Sequence, residues 1–242
     1  SETKENLALA SIDISKAFDT VRWGYLLETL SRMGVGSEFC AWIRLLYTDP
    51  SARIKLGQIT SEQIPIGKGT RQGCPLSPML FAMALEPMAI WAREELRGTG
   101  IQISGREHII SLYADDTLFY LAKPTESLPR LLRLLEKFGQ VSGLYLNPNK
   151  SLLFPLGGLR DTPVGDLPVL SLRWEMNHFK YLGIMIAHSL KDRQALNIDR
   201  VVSGLKRSVE FWTTLPLSVI GRIAISKMVL LPRFLYYIPN TF

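Results

Sequence analysis

The sequence predicts an α+β fold, and two observations support this prediction. Short apolar runs of strand length occur at residues 7–14, 109–112 and 117–121, interspersed with longer stretches of helical character. At residues 128–141 the apolar side chains recur at intervals of three and four, as they do on the buried face of a helix. The 242 residues are enough for one large domain or two small ones.

The first part of the chain supplies a strand, two helices, a hairpin and a long helix. In order these are strand 7–14, helices 21–32 and 38–47, strands 52–56 and 59–64, and helix 77–97. Ser37 is a suitable N-cap for the second helix, and Gly57-Gln58 is suited to the hairpin turn. Ser77-Pro78 is typical of a helix start, with a capping serine before a proline. Pro87 is expected to kink the long helix.

The second part of the chain supplies the remaining strands and helices. In order these are strands 109–112 and 117–121, helix 128–141, strands 150–154 and 179–186, and helices from about residue 192, broken at Leu215-Pro216. Gly143 is expected to close the helix at 128–141. Residues 157–168 are rich in Gly and Pro and predict a loop. Gly183 lies inside the strand predicted at 179–186, which is typical of a bulge or a close backbone approach.

Two adjacent carboxylates, Asp115 and Asp116, lie where the chain should bend between strands 109–112 and 117–121. Like charges at one site raise each other's pKa, which favours a nearby cation, and carboxylate oxygens are natural ligands of Mg²⁺. Asp13 is a lone acid near the end of a buried strand, where it is costly unless paired or bound to a metal. For Asp115 and Asp116 alone, a solvated turn is an equal alternative; Asp13 favours the metal interpretation.

The composition excludes several classes of protein. No apolar run reaches the roughly 18 residues of a membrane span, and no stretch of the sequence resembles the n-region and h-region of a signal peptide. Cys40, Cys74 and the three histidines show no spacing typical of disulfides, zinc sites or nucleophilic triads. The net charge of +6 is compatible with a polyanionic partner. Basic clusters such as Lys206-Arg207 fit either solvated faces or a groove that follows phosphates.

Six blocks of the chain resemble the reverse transcriptases of non-LTR retrotransposons of the long interspersed element type, in that family's order and roughly its spacing. The blocks are Ser11–Asp19, Gly69–Pro78, Tyr113–Asp116, Asn149–Ser151, Lys180–Ile184, and Gly221–Met228 with Leu231-Pro232. Ala-Asp-Asp alone is weak, but with the Thr-Arg-Gln-Gly-Cys-Pro-Leu-Ser-Pro block and the last block it is highly specific. The likeness covers essentially the whole chain.

The resemblance implies a right-hand polymerase. Residues 1–190 would form the palm, an antiparallel sheet backed by helices, with partial fingers at about residues 36–70. Residues 191–242 would begin a truncated helical thumb. Fingers strands upstream of Asp13, an endonuclease and a C-terminal cysteine-rich segment are missing relative to the family. We therefore expect a piece of a longer polypeptide, with the missing fingers, thumb and endonuclease parts among its partners.

The resemblance also implies a catalytic centre. Asp13, Asp115 and Asp116 would be catalytic and would bind two Mg²⁺ ions, for which Mn²⁺ could substitute. Lys150 matches a lysine that is catalytic in the family, where it is proposed to protonate the pyrophosphate. Without the resemblance, Lys150 is an exposed turn lysine.

Further residues match substrate contacts of the family. Phe18 matches the steric gate that favours deoxynucleotides; its alternative is a core aromatic that follows a strand. The residues matched to the loop at template and nucleotide are Arg71, Gln72 and Gly73. The residues matched to the hairpin at the primer end are Lys180, Tyr181, Leu182 and Gly183.

The function expected from the resemblance is an RNA-directed DNA polymerase that uses an RNA template, a DNA primer and deoxynucleoside triphosphates. We expect it in the nucleus and cytoplasm as a ribonucleoprotein, not secreted. The main alternative is an inactive or domesticated fragment that only binds nucleic acid. A group II intron maturase is disfavoured by the Arg-Gln-Gly-Cys-Pro block, and a viral RNA-dependent RNA polymerase by Phe18. A nuclease with three carboxylates would have no role for the surrounding blocks.

Overall fold

A computed structural model describes residues 5–167 and 170–241 of the chain. The chain divides into two compact units, Ser1–Trp174 and Glu175–Phe242. Both units contain strands and helices, so the predicted α+β class is confirmed. Within the described ranges, no helix combines the length and apolar character needed to cross a membrane.

The elements are numbered in chain order. The strands are β1 Asn6–Ile12, β2 Ser51–Ala52, β3 Lys55–Leu56, β4 Ile59–Thr60, β5 Ile64–Pro65, β6 Ile101–Ile103, β7 Arg106–His108, β8 Ile110–Tyr113, β9 Asp116–Ala122, β10 Leu152–Gly157, β11 Arg173–Trp174, β12 His178–Tyr181 and β13 Ile184–Ala187. The α-helices are α1 Ala17–Thr20, α2 Trp23–Arg32, α3 Ser37–Leu46, α4 Ser77–Glu95, α5 Pro124–Ser142, α6 Leu190–Gln194, α7 Arg200–Thr213, α8 Val219–Ile225 and α9 Leu231–Thr241. A 3-10 turn at Val164–Asp166 and π-helical segments at Ala195–Asp199 and Ser226–Leu230 complete the set.

A five-stranded sheet organises the first unit, in the order β11-β10-β1-β9-β8. The central strand β1 pairs antiparallel with β10 on one side and with β9 on the other. Because both of its neighbours are strands and both of its faces are covered, Leu7–Ala10 of β1 are buried. That environment explains why β1 is almost wholly apolar in sequence.

One face of this sheet forms the core with the helices. Ala10, Phe119 and Leu153 lie in register across β1, β9 and β10 and belong to the main apolar cluster. Helices α2, α4 and α5 contact one another, and α5 also contacts β1 and β9. The predicted stripe of α5 is core, with Leu128, Leu131, Leu134, Leu135 and Phe138 buried. Gly143 closes α5 with a left-handed φ of 83°, as predicted.

The second unit consists of the β12–β13 hairpin and the helices from α6 onward. Asn197 is 1% exposed, and its side chain bonds to both backbone polar groups of Met185 in β13 and to the Arg193 carbonyl. The side chain of Asn197 therefore fixes the hairpin against the π-helical segment that contains it.

The structure corrects several local predictions. The strand predicted at 179–186 is a hairpin whose turn is Leu182-Gly183, where φ is 48° and 82°, because both residues adopt left-handed backbone. Ser37 and Ser77 are first helical residues, and neither helix has a side-chain N-cap. Helix α4 continues through Pro87 from Ser77 to Glu95, and the kink or distortion expected at Pro87 stays a prediction. The hairpin at Gly57-Gln58 is confirmed as β3–β4, with β2–β5 as a separate short pair.

The two compact units divide in sequence between Trp174 and Glu175, so the β12–β13 hairpin belongs to the second unit. The predicted domains, residues 1–190 and residues 191–242, stay a prediction. The names palm, fingers and thumb for these residue ranges stay predictions.

Candidate active site

The three predicted carboxylates lie at one edge of the five-stranded sheet. β1 ends at Ile12, which pairs with Thr117 of β9, so Asp13 follows β1 at the position next to Asp116. Asp115 lies in the turn that precedes β9. Residues about a hundred positions apart in sequence are thus neighbours across two adjacent antiparallel strands.

The turn that presents Asp115 is tight. Tyr113 pairs with Asp116, which leaves Ala114 and Asp115 as a two-residue connection between β8 and β9. Ala114 has a φ of 53°, a left-handed backbone that is rarely adopted by residues other than Gly, Asn and Asp. The bend therefore comes one residue earlier than predicted, and Asp116 is the first residue of β9. Asp115 and Asp116 are exposed, whereas Asp13 is half-buried.

The three carboxylates interact electrostatically. Partial desolvation, followed by the negative charges of Asp115 and Asp13, raises the pKa of Asp116 above its ordinary value. Among the described residues, none of the three carboxylates forms a salt bridge with a Lys or Arg. This cluster of negative charge, which no salt bridge among the described residues neutralises, fits a site for a divalent cation.

The metal ligands themselves stay a prediction. As the side chains are oriented, no group of three or more His, Cys, Asp or Glu in the described part of the chain could hold a metal ion. The donor set, the strand register and the charge favour Mg²⁺ or Mn²⁺ at Asp13, Asp115 and Asp116, but a finished ligand cage is not present.

Asp13 is anchored by a residue that sequence reasoning missed as a contributor to the site. The Ser151 hydroxyl is fully buried, accepts a hydrogen bond from the Asp13 backbone N–H at 3.0 Å and donates one to the Asn147 carbonyl at 2.8 Å. The backbone N–H of Asn147 in turn donates to the Asp13 carbonyl at 2.8 Å. The loop before β10 therefore fixes the backbone of Asp13 from both sides. Ser151 stood in the Asn-Lys-Ser block, but nothing local to that block shows that its partner is Asp13.

Lys150 lies in the same loop. Its backbone N–H donates to the Asn147 carbonyl at 3.3 Å, and its side chain is exposed. Because hydrogen bonds join this loop to the backbone of Asp13, they also hold the backbone from which the exposed Lys150 side chain extends. Its catalytic role stays a prediction.

The Phe18 ring packs on the core with one face and lines an open concavity, and its role as a steric gate stays a prediction. One face of its ring stacks on the buried Phe81, with ring centroids 4.4 Å apart. The ring also lines an open concavity of about 520 Å³ that is shared with Arg71, Gln72 and Gly73. The structure therefore brings together four of the residues predicted to contact substrate.

Hydrogen bonds join the loop that carries Arg71, Gln72 and Gly73 to residues 18–23. Thr70 donates from its backbone N–H and from its hydroxyl to the Phe18 carbonyl, at 2.6 and 3.2 Å. The indole N–H of Trp23 donates to the Gly69 carbonyl at 2.7 Å. Asp19 accepts a hydrogen bond at 3.2 Å from the side-chain amide of Gln72. Thr70, Trp23 and Asp19 thus hold the loop beside Phe18, and none of them was predicted to do so.

Gly69 is required for this close approach. A Cβ at this position would lie 2.8–2.9 Å from backbone atoms of Asp19, and its φ is +91°. Only glycine combines that backbone angle with that contact at low cost.

The remaining predicted contacts, Lys180, Tyr181, Leu182 and Gly183, form the tip of the β12–β13 hairpin in the second unit. The Leu182 carbonyl accepts a hydrogen bond from the Tyr236 hydroxyl, and the Gly183 carbonyl accepts one from Tyr237 at 3.4 Å. Helix α9 therefore holds the turn of this hairpin. Their contact with a primer stays a prediction.

Comparison with known proteins agrees with this geometry. A family model described as "Reverse transcriptase (RNA-dependent DNA polymerase)" matches residues 1–186. The chain is 31% identical to the "Transposon TX1 uncharacterized 149 kDa protein" of Xenopus laevis over 75% of its own length and 14% of that protein's. It is 29% identical to the "Retrovirus-related Pol polyprotein from type-1 retrotransposable element R2" of Nasonia vitripennis, over 96% of its length and 22% of the polyprotein's.

Solved structures show the same fold at low sequence identity. An apo telomerase from Candida tropicalis, truncated from its C-terminal domain, is 14% identical with a TM-score of 0.52, covering 77% of this chain and 35% of the telomerase. A telomerase of the same organism in complex with a TWJ fragment of telomeric RNA is 13% identical with a TM-score of 0.54, over 77% and 29% of the two chains. The expected polymerase palm fold is therefore confirmed, and the chain spans less than a quarter of the transposon and Nasonia relatives.

Proposed function

We propose that this chain, which belongs to the reverse transcriptase (RNA-dependent DNA polymerase) family, adds deoxynucleotides to a primer 3′-hydroxyl by two-metal chemistry. Its similarity to Pol polyproteins of R2 elements relates it to non-LTR retrotransposons, as the motif blocks indicated. One observation carries the proposal: the pairing of Ile12 with Thr117 brings Asp13 beside Asp115 and Asp116.

The three carboxylates are proposed to share the metal-binding role. Bound there, the ions would supply activation of the primer hydroxyl and neutralisation of the leaving pyrophosphate. Ser151 holds the Asp13 backbone, and the tight Ala114-Asp115 turn presents the second acid. Lys150 is proposed to donate the proton that the pyrophosphate leaving group takes up.

The concavity beside Phe18 is proposed to receive the incoming deoxynucleoside triphosphate. Arg71 is exposed there and brings a positive charge to phosphate oxygens. The Phe18 ring is fixed on one side by its stacking on Phe81, so it acts as a rigid wall. In that place it would exclude a ribose 2′-hydroxyl and select deoxynucleotides.

The nucleic-acid partners are proposed to be an RNA template and a DNA primer. Gln72 and Gly73 would contact template and nucleotide, and the tip of the β12–β13 hairpin would contact the primer end. The remaining fingers, thumb and endonuclease of a longer polypeptide are proposed as further partners. Residence in the nucleus and cytoplasm as a ribonucleoprotein stays a prediction.

A second candidate function is nucleic-acid binding without catalysis. The absence of a finished ligand cage among the described side chains favours it. Against it stand three acids kept together at one sheet edge, because unneutralised like charges are costly in a module that never binds metal.

Primer extension separates the two candidates. With Mg²⁺, deoxynucleotides and a primer annealed to RNA, we expect extension by the unmodified chain and none by Asp115→Ala. Asp161→Ala, which removes an exposed loop acid, is the matched control and should extend normally. Binding of primer–template by the unmodified chain without any extension, at every Mg²⁺ and Mn²⁺ concentration tried, would establish the second candidate instead.

A further inference from the structure

The second unit carries most of the chain's excess positive charge. Residues 175–242 contain nine Lys and Arg against four Asp and Glu, which is +5 of the chain's net +6. The first unit, with nineteen against eighteen, is almost balanced. Such a concentration of one sign indicates an anionic partner for the second unit.

A concavity of about 430 Å³ collects four of these cations. It is built from residues of the second unit only, and its basic side chains are Lys180, Arg200, Arg207 and Arg233. Among the described residues, no acid lines it and none of the four cations is in a salt bridge. Four unneutralised cations around one cavity repel one another, and an anionic ligand would relieve that repulsion.

The cavity also has an apolar wall. Met185, Leu196, Val201, Leu205 and the ring of Tyr237 line it beside the cations. A surface that contacts only the phosphates of a nucleic-acid strand needs no apolar wall. Cavities of roughly 300–1,000 Å³ with apolar walls and a few placed polar groups are typical small-molecule sites.

The walls are held in place by specific contacts. The three hydrogen bonds of Asn197 fix β13 to the π-helical segment, and the hydroxyls of Tyr236 and Tyr237 fix the turn to α9. The cavity is therefore preformed, which lowers the entropic cost of binding.

From these observations we infer that this cavity is a nucleotide-binding pocket: phosphate groups lie on the arginines, and a base packs on the apolar wall. The pocket is additional to the concavity beside Phe18. The same chemistry could come from a free nucleotide or from one nucleotide of a strand. Two lining residues, Lys180 and Gly183, also belong to the hairpin tip that is proposed to contact the primer end, so the inference shares that part of the proposed function. It involves none of the three carboxylates, so binding in metal-free buffer is tested separately from the polymerase chemistry.

Binding of three probes to the whole chain tests the inference. The probes are ADP, a five-residue oligoadenylate and inorganic pyrophosphate, measured by calorimetry or fluorescence anisotropy in metal-free buffer, where no polymerisation occurs. The test variant is Arg200→Gln/Arg207→Gln/Arg233→Gln. The matched control is Lys191→Gln/Arg222→Gln/Lys227→Gln, which removes the same charge from exposed residues of the same unit that do not line the cavity.

We expect the test variant to weaken ADP binding roughly tenfold for each arginine that contacts a phosphate, and the control to change it less than about twofold. ADP should bind more tightly than pyrophosphate, since only ADP uses the apolar wall. If only oligoadenylate binding is weakened by the test variant and not by the control, the ligand of the pocket is a nucleotide within a strand, and the pocket assignment still holds.

Three results would overturn the inference. One is equal weakening by both triple variants, which indicates diffuse charge. Another is pyrophosphate binding as tight as that of ADP or the oligonucleotide. The third is binding of all probes that is unaffected by the test variant. The variant Arg200→Lys/Arg207→Lys/Arg233→Lys keeps the three positive charges and should retain most of the affinity for ADP. It shows whether weaker binding by the glutamine variant results from lost charge or from misfolding.

Discussion

The replacement Ser151→Ala tests how the chain positions its first carboxylate. Ser151 is fully buried, and its hydroxyl accepts from the Asp13 N–H at 3.0 Å while it donates to the Asn147 carbonyl at 2.8 Å. Alanine fits the space but leaves the Asp13 N–H without its hydrogen-bond partner. The replacement should therefore loosen the backbone beneath the carboxylate without altering any charge.

The magnitude follows from the two hydrogen bonds that the hydroxyl makes. A half-buried or buried donor left without a partner costs about 1–3 kcal/mol, so the free energy of unfolding should fall by that amount. If Asp13 moves by as much as ~1 Å, the rate of nucleotide addition should fall by up to roughly 100-fold. The Mg²⁺ concentration for half-maximal rate should rise at the same time.

Ser142→Ala is the matched control. Ser142 is equally buried, and its hydroxyl donates to the Phe138 carbonyl at 2.7 Å and accepts from the Leu144 N–H at 3.1 Å. Both variants should lose similar stability, because each removes one buried hydroxyl with two backbone bonds. Only Ser151→Ala should change the Mg²⁺ dependence.

Urea unfolding and single-nucleotide extension across a Mg²⁺ titration measure these effects. Equal activity and equal Mg²⁺ dependence of the two serine variants would refute the reasoning, because Ser151 would then be only a structural residue.

Three further predictions concern the other parts of the first unit. Phe18→Val should raise incorporation of ribonucleotides relative to deoxynucleotides, measured by competing nucleotide addition; unchanged selectivity would remove the gate assignment. Gly69→Ala should lower the free energy of unfolding by about 3 kcal/mol or more, because its Cβ would meet the Asp19 backbone, whereas Gly73→Ala, with open space around it, should cost only about 1–2 kcal/mol. Equal losses in urea unfolding would contradict that contact. Because the folded-state pKa of Asp116 is raised, its stabilising contribution is present below its unfolded pKa of about 3.8 and is lost as the pH rises through the folded value. The metal-free chain should therefore lose stability over that pH range relative to Asp116→Asn, and parallel pH profiles of the two would contradict the coupling.

Local patterns predicted the elements that surround the three acids. The apolar run of β1, the two runs that flank Asp115 and Asp116, and the α5 stripe closed by Gly143 were all identified from spacing and turn residues. Each of these signals is local, because burial on one or both faces determines the residue pattern of the same segment.

The hairpin at β12–β13 was missed by the pattern and implied only by the resemblance. Residues 179–186 are almost continuously apolar, so their periodicity hides a turn. The turn depends on Leu182 at a φ of 48°. Leucine rarely adopts this left-handed conformation, so its presence in the sequence does not predict a turn. Gly183 is the local signal, and a glycine inside an apolar run is equally typical of a bulge or a close backbone approach.

The long-range contacts that hold the site residues in place could not be predicted from local sequence. The bond between Asp13 and Ser151 spans 138 positions, and the contacts of Gly69 and Thr70 with the segment after Phe18 span about fifty. Such pairs depend on tertiary packing. Serine, threonine and glycine are common in loops, so their presence in the sequence does not indicate which distant residue they contact.

The most direct test of the central claim is a titration of the metal-free chain with Mn²⁺, followed by electron paramagnetic resonance. The account predicts bound Mn²⁺ whose affinity falls at least about tenfold in Asp13→Asn, because that acid supplies ligands jointly with Asp115 and Asp116. Asp161→Asn, which removes an exposed acid elsewhere in the first unit, should bind as the unmodified chain does. Equal Mn²⁺ affinity of the unmodified chain and Asp13→Asn would contradict the claim that these acids hold metal together.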